Sequence, residues 1–284
     1  MFNISTVSRA TTNFDRTIAV HPRQPLAGCQ GPAGSTTTFD VDFDDTWASL
    51  IGMHGGAMVA LAVRAAEHVV PDRPVRTVSA TFLRRGSIGA AELDVTVLRH
   101  GRGFTTLLGR IRQAGRELVE LRLTLAIPAP VDPWTSAPAC LADRRRPAPI
   151  AACVGFTPPP GIRHFEQARL RIDPTTIPRS DSADARIAGH VQPLEARPFD
   201  APWLAMIGDW FPPAPFRRLV PPAGGVSIDY TVHLHRTLPA DPDLWLEGVF
   251  EAADQHGGIA LERGVLTTPD GAPVAETFHT RWTG

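Results

Sequence analysis

Residues 224–236 read GGVSIDYTVHLHR. Val226, Ile228, Tyr230, Val232 and Leu234 alternate with Ser227, Asp229, Thr231, His233 and His235. Side chains of a β-strand project to its two faces in turn, so this pattern predicts a half-buried strand. Its polar face gathers hydroxyl, carboxylate and imidazole groups, a richer set than contact with water requires.

A weaker copy lies upstream. Thr77–Arg85, TVSATFLRR, ends in Leu83-Arg84-Arg85 much as the later strand ends in Leu234-His235-Arg236. Each copy follows a predicted helix, His54–Val70 in the first half and Pro202–Phe211 in the second. Three strand-like runs come after each: Ala91–Leu98, Phe104–Gln113 and Glu117–Ile127, then Leu244–Ala252, Gly258–Thr267 and Pro273–Trp282. Turn signals fall at matching places, at His100-Gly101-Arg102-Gly103 and Ala114-Gly115, then at Asp254-Gln255-His256-Gly257 and Pro269-Asp270-Gly271. The order helix followed by four strands therefore occurs twice.

A chain of 284 residues can hold two such units, each with its own core. An apolar fraction of 43% and a mean hydropathy of −0.06 describe a globular protein. No run approaches the roughly 18 apolar residues of a membrane span. Arg9 and Arg16 are not followed by an apolar segment, so no secretory signal is expected. Cys29, Cys140 and Cys153 are odd in number and unpatterned, which points to free thiols in a cytoplasmic setting. A net charge of −1 gives no reason to expect nucleic acid. Every basic residue is arginine, a composition that GC-rich coding favours.

Residues 128–161 are rich in Pro, Ala and Arg, with Arg144-Arg145-Arg146 and Pro158-Pro159-Pro160. Prolines at that density do not fit a helix interior or central strand, so the segment is read as a linker between domains 1–127 and 162–284. The triple arginine reads as solvated charge, with contact to a polyphosphate as the alternative. Residues 1–35 are read as a strand or arm followed by a loop.

Familiar catalytic motifs do not fit the sequence. Gly225-Val226-Ser227-Ile228-Asp229 approaches the nucleophile elbow, but a strand continues where the elbow needs a helix. His233 and His235 lack a third ligand at a recognisable spacing, so no metal site is expected. There is no phosphate-binding loop and no dinucleotide fingerprint.

Taken in order, the remaining motifs resemble the type II acyl-CoA thioesterases. They are His54-Gly55-Gly56-Ala57, Phe82-Leu83-Arg84-x-Gly86 and Leu98-Arg99-x-Gly101-x-x-Phe104 in the first half. The second half has Ile228-Asp229 leading to His235-Arg236, and Asp270-Gly271-x-x-Val274-Ala275. The likeness runs from about Phe39 to Arg281. It implies an α+β double hot-dog, two helix-wrapped antiparallel sheets joined side by side, and by analogy a homo-oligomer. The implied activity is hydrolysis of fatty acyl-CoA to free fatty acid and coenzyme A, without metal or cofactor. The family's polar trio is a helical aspartate, a threonine opening the next strand and a glutamine on the last strand. Those positions fall on Asp209, Ser227 and His279; serine keeps the hydroxyl, whereas histidine replaces an amide.

On this resemblance Asp209 lies on an apolar helix, where burial is expected to raise its pKa and make it a base toward water. Ser227 holds that water, and His279 donates to it or serves as the base. Backbone N–H groups at Gly55 and Gly56 polarise the thioester carbonyl. Phe82, Met206 and Trp210 line the acyl tunnel. Two other classes stand beside this one. A hot-dog dehydratase needs an aspartate and histidine close together on one loop-helix segment, which neither helix offers. A non-catalytic acyl-CoA or acyl-chain binding protein fits the departures at 227 and 279.

Overall fold

In the computed structural model, residues 11–24, 33–49, 51–128, 146–158, 160–178, 182–218 and 225–284 are described. The first half comprises α1 (Asn13–Thr17), β1 (His21–Pro22), β2 (Thr36–Phe43), β3 (Ala48–Ser49), β4 (Gly52–Met53), α2 (Gly55–Val69), β5 (Val75–Phe82), β6 (Gly89–His100), β7 (Phe104–Gln113) and β8 (Arg116–Ala126). The second comprises β9 (Val154–Gly155), β10 (Ala168–Ile172), β11 (Arg186–Pro193), α3 (Ala201–Ile207), β12 (Val226–Leu234), β13 (Leu246–His256), β14 (Ile259–Thr267) and β15 (Pro273–Trp282).

The order β2-β6-β7-β8-β5 continues through β12 into β15-β14-β13-β11, with β1 outside one end and β10 and β9 outside the other. All neighbours are antiparallel. The two similar strands noted in the sequence are the ones that meet: β5 pairs with β12, setting Val78 against Val232 and Ala80 against Tyr230. The halves thus share one continuous sheet through a seam between repeats. Counting outward from that seam, β8, β7, β6 and β2 have their counterparts in β15, β14, β13 and β11.

After Gly56, α2 contains no Gly or Pro and is rich in alanine, a strong helix former. From Gly56 to Ala66 only Arg64 escapes burial. A helix apolar on every side must be enclosed, and α2 is, by the sheet around it and by α3. It stops just ahead of Pro71, which cannot continue a helix. The shorter α3 starts from Asp200, whose side chain accepts from the Trp203 N–H at 3.1 Å. It ends at Ile207 instead of running to Phe211, with Pro212-Pro213 following.

Other expectations also change. A short helix, α1, stands where an arm was expected, and its Phe14 stacks on Trp203. The linker expectation fails from Arg146 onward among the described residues. Arg146 forms a two-pronged bond to Glu247, and β9 pairs with β10, so this stretch is attached to the second half. Arg144 and Arg145 lie outside the described residues, as do Cys29 and Cys140.

Candidate functional site

The alternation predicted for β12 breaks at its start. Ser227 pairs with Arg281 but Asp229 pairs with Thr280, so Ile228 is an extra residue, a β-bulge. The bulge exposes Ile228 and turns Ser227 to the side of Tyr230, away from Asp229. Ser227 thereby joins the wall of a cavity of about 490 Å³ where the two halves meet.

Asp209 stands at its inner end, in the turn beyond α3, with its side chain almost wholly buried. Its Oδ2 accepts the Gly56 N–H at 3.0 Å. Arg281 Nη2–H reaches Oδ1 at 3.3 Å, and the Ser227 hydroxyl is 3.5 Å from the same oxygen. His279 Nε2 is 3.0 Å from Oδ1, though poorly aligned for a hydrogen bond. Arg281 also donates through Nη1 to Ser227 Oγ at 3.2 Å, and its Nε–H bonds Glu262 at 2.8 Å. Because Nη2 donates to His279 Nδ1 at 3.3 Å, the histidine's proton resides on Nε2, facing Asp209.

Burial raises the Asp209 pKa, but His279, His54 and Arg281 together outweigh it and hold the carboxyl far below its usual range. The expected rise is therefore reversed, chiefly by His279, with His54 and Arg281 adding to it. Desolvation pushes both His54 and His279 below the ordinary imidazole value, which favours their neutral forms.

His54 closes the first turn of α2: Nδ1 accepts the Ala57 N–H at 3.3 Å, and Nε2 donates to the Asp209 carbonyl at 3.0 Å. His164 stacks on it at 4.3 Å and lines the cavity. The glycines at this corner are dictated by contact. A Cβ on Gly55 would come within 3.0 Å of Asp209 Oδ2, and one on Gly56 within 2.7 Å of the Met206 carbonyl oxygen.

Two family models match the chain: the acyl-CoA thioesterase N-terminal domain over residues 43–126 and its C-terminal domain over residues 131–282. The chain belongs to the acyl-CoA thioesterase family. It is an acyl-CoA thioester hydrolase. Among solved structures, a candidate thioesterase II from Thermobifida fusca YX shares 21% identity over 97% of this chain and 99% of its own, with a TM-score of 0.81. A hot dog fold protein of unknown function from Alicyclobacillus acidocaldarius shares 19% over 96% and 98%, with a TM-score of 0.80. The acyl-CoA thioesterase II TesB2 of Mycobacterium marinum shares 18% over 96% and 97%, at 0.73. These likenesses establish the hot dog fold. Comparison with curated proteins found no match.

The thioesterase thus brings Asp209, Ser227 and His279 together, but not all on the cavity surface. His279 lies behind Asp209, stacked on Tyr230 at 4.4 Å, because β15 is an interior strand of the sheet. Met206 is sealed inside the core and lines nothing, whereas Phe82 and Trp210 do line the cavity. The Gly56 N–H is taken by Asp209; that of Gly55 has no partner among the described residues. Sequence reading passed over Arg281. The period of two places it on the face of β15 that holds His279, a signal available beforehand.

Proposed function

We propose that this enzyme hydrolyses fatty acyl-CoA in the cavity below Gly55, using Asp209 and Ser227 as the groups that meet water and thioester. The observation that carries the proposal is the closeness of Gly55 to Asp209 Oδ2, with the Gly55 N–H unpartnered among the described residues. A helix N-terminus offers unsatisfied donors to a developing oxyanion. Oδ2 accepts one bond from Gly56, and a carboxylate oxygen has a second lone pair for a water molecule. A water bound there lies beside the carbonyl it is to attack. Ser227 accepts from Arg281 and so offers its own O–H to that water.

The low pKa of Asp209 makes it an orienting acceptor before it is a proton acceptor, and proton transfer comes late, as the tetrahedral intermediate forms. The leaving group is a thiolate, a much weaker base than an alkoxide, and needs little help to depart. His279 acts through Asp209, with Nε2 lying 3.0 Å from Oδ1. Phe82, Met58 and Trp210 give the acyl chain an apolar wall. The architecture proposed is a double hot-dog, its two repeats joined at β5 and β12 much as two single-domain copies pair, with further association into a homo-oligomer.

Thiol release from acetyl- through palmitoyl-CoA tests the site. Asp209→Ala is expected to abolish release, whereas His279→Gln retains much of it because an amide N–H can replace the imidazole N–H. Release unchanged in Asp209→Ala overturns the assignment. One observation favours a second reading, an acyl-CoA binding protein without turnover: the several donors on Asp209 would suit a purely structural anion. No release from any substrate, with binding retained, selects that reading.

A further inference from the structure

Among the described residues lining the cavity, Asp209 is the only carboxylate and Arg84, Arg85 and Arg281 are the arginines. This asymmetry is local, since the whole chain carries a net charge of only −1. Arg281 is not available to a ligand: its N–H groups are spent on Glu262, Asp209, Ser227, His279 and the Gly225 carbonyl. Arg84 and Arg85 are exposed, at the mouth. Arg84 gives one bond, from Nη1 to the Glu117 carbonyl at 2.9 Å, and Arg85 has no partner among the described residues.

Their position is built. In a regular strand, consecutive side chains diverge to opposite faces. Here the Leu83 and Arg84 N–H groups both bond the Leu118 carbonyl, at 2.8 and 3.1 Å, so two residues oppose one where β5 ends. Beyond that irregularity the chain runs beside β4, where Met53 N–H donates to the Gly86 carbonyl at 3.0 Å. Arg84 and Arg85 consequently both reach the mouth, beside the exposed apolar residues Ile51 and Leu83.

We propose that Arg84 and Arg85 form the subsite for the phosphate groups of the thiol carrier; this rests on the thioesterase reading of the cavity. A thioester placed at Gly55 with its acyl chain inward must send its thiol arm out through this mouth. A guanidinium fork matches phosphate oxygens with paired, charge-assisted bonds, and an exposed arginine with free donors is ready to make them. Ile51 and Leu83 face the uncharged part of the arm. The chemistry is shared by coenzyme A, with its nucleotide phosphates, and by a carrier protein's phosphopantetheine, with a single phosphodiester.

The test compares an acyl-CoA with the same acyl group on N-acetylcysteamine, which carries no phosphate. In Arg84→Ala/Arg85→Ala, the ratio of kcat/KM for acyl-CoA over the phosphate-free thioester is expected to fall about tenfold at low salt. Arg85→Glu lowers it further by repelling phosphate. A ratio equal to that of the unaltered enzyme overturns the proposal. Calorimetry with free coenzyme A gives a readout independent of turnover, and Kd is expected to weaken about tenfold in the double variant. If no thioester is cleaved but this weakening is found, the hydrolase reading fails and the phosphate subsite stands. Unchanged Kd with unchanged kinetics removes the subsite while leaving the hydrolase intact. An acyl-carrier-protein substrate separates the sources: equal loss identifies the shared phosphodiester, and loss confined to coenzyme A identifies its nucleotide phosphates.

Discussion

Arg281 Nη1 lies 3.2 Å from Ser227 Oγ, and the two residues are direct partners across the β12–β15 ladder. The guanidinium can only donate, so the serine oxygen is an acceptor in this contact and its proton is directed elsewhere. Asp209 Oδ1, at 3.5 Å, is a distant recipient. The hydroxyl thus donates to Asp209 only over a long distance, and a better-placed acceptor in the cavity can take its proton. Ser227→Ala is expected to lower kcat on the order of 10²-fold with little change in KM, and Ser227→Thr to keep most of the rate. Steady-state kinetics on one acyl-CoA checks both. A KM effect without a kcat effect would make Ser227 a binding residue only.

Arg281 itself controls when Asp209 is charged. A cation beside a carboxylate favours its ionised form, so removing Arg281 raises the Asp209 pKa and moves loss of activity to higher pH. Arg281→Met is expected to shift the acid limb of the kcat/KM profile upward. It also removes the cation shared by the buried Glu262 and Asp209, costing about 3–5 kcal/mol of stability. Adding Glu262→Gln recovers part of that loss. Urea unfolding of the single and double variants measures the coupling.

Much of the fold was legible because its repeat is written in turn positions and alternation. The likeness of Thr77–Arg85 to Ile228–Arg236 marks β5 and β12 as equivalent strands, whereas their pairing with each other is seen only in the structure. What escaped is instructive. Strand β11, RIAGHVQP, is buried along its whole length and so shows no alternation to read. In β12 the alternation was real, but the bulge at Ile228 reversed the face of Ser227, and a bulge leaves no mark in a pattern of apolar and polar letters. The identity of the polar trio was legible through resemblance alone. Its electrostatics were not: the direction of the Asp209 shift depends on Arg281, His279 and His54, which come from distant parts of the chain.

Three buried imidazoles link stability to pH. His54, His164 and His279 are each pushed below the ordinary value of 6.5, by desolvation first; for all three the charge of Asp209 pulls the other way. The folded state then binds fewer protons than the unfolded chain. This contribution is fully present above pH 6.5 and is lost as pH falls through the folded values. The urea midpoint is expected to fall between pH 7.5 and 5.5, and His279→Gln to make that slope shallower. A slope unaltered by the substitution would show that His279 titrates alike in both states.

Glu67 works in the opposite direction. Burial and Asp200 push its pKa up to about 7, against the pull of Arg64. The folded state therefore holds a proton that the unfolded chain, at 4.5, has released. Stability from this group is present below pH 4.5 and declines as pH rises to about 7. Relative to the unaltered enzyme, Glu67→Gln is expected to become steadily more favourable between pH 5 and 8. A stability difference independent of pH would mean that the Arg64 ion pair at 2.7 Å keeps Glu67 ionised throughout.

The two glycines at the head of α2 make different predictions. A methyl on Gly56 would press on the Met206 carbonyl oxygen at 2.7 Å, which is backbone and cannot swing aside. Gly56→Ala must separate α2 from α3 and is expected to cost about 1–3 kcal/mol. A methyl on Gly55 would meet the Phe82 ring at 2.9 Å and Asp209 Oδ2 at 3.0 Å, both on side chains that can shift. The fold can absorb that change, but the space between carboxylate and backbone N–H is filled. Gly55→Ala is accordingly expected to keep a melting temperature near that of the unaltered enzyme while kcat/KM falls on the order of 10²-fold. Calorimetric melting and thiol release on the same preparations separate the two effects. Full activity in Gly55→Ala would place the reacting carbonyl away from the start of α2.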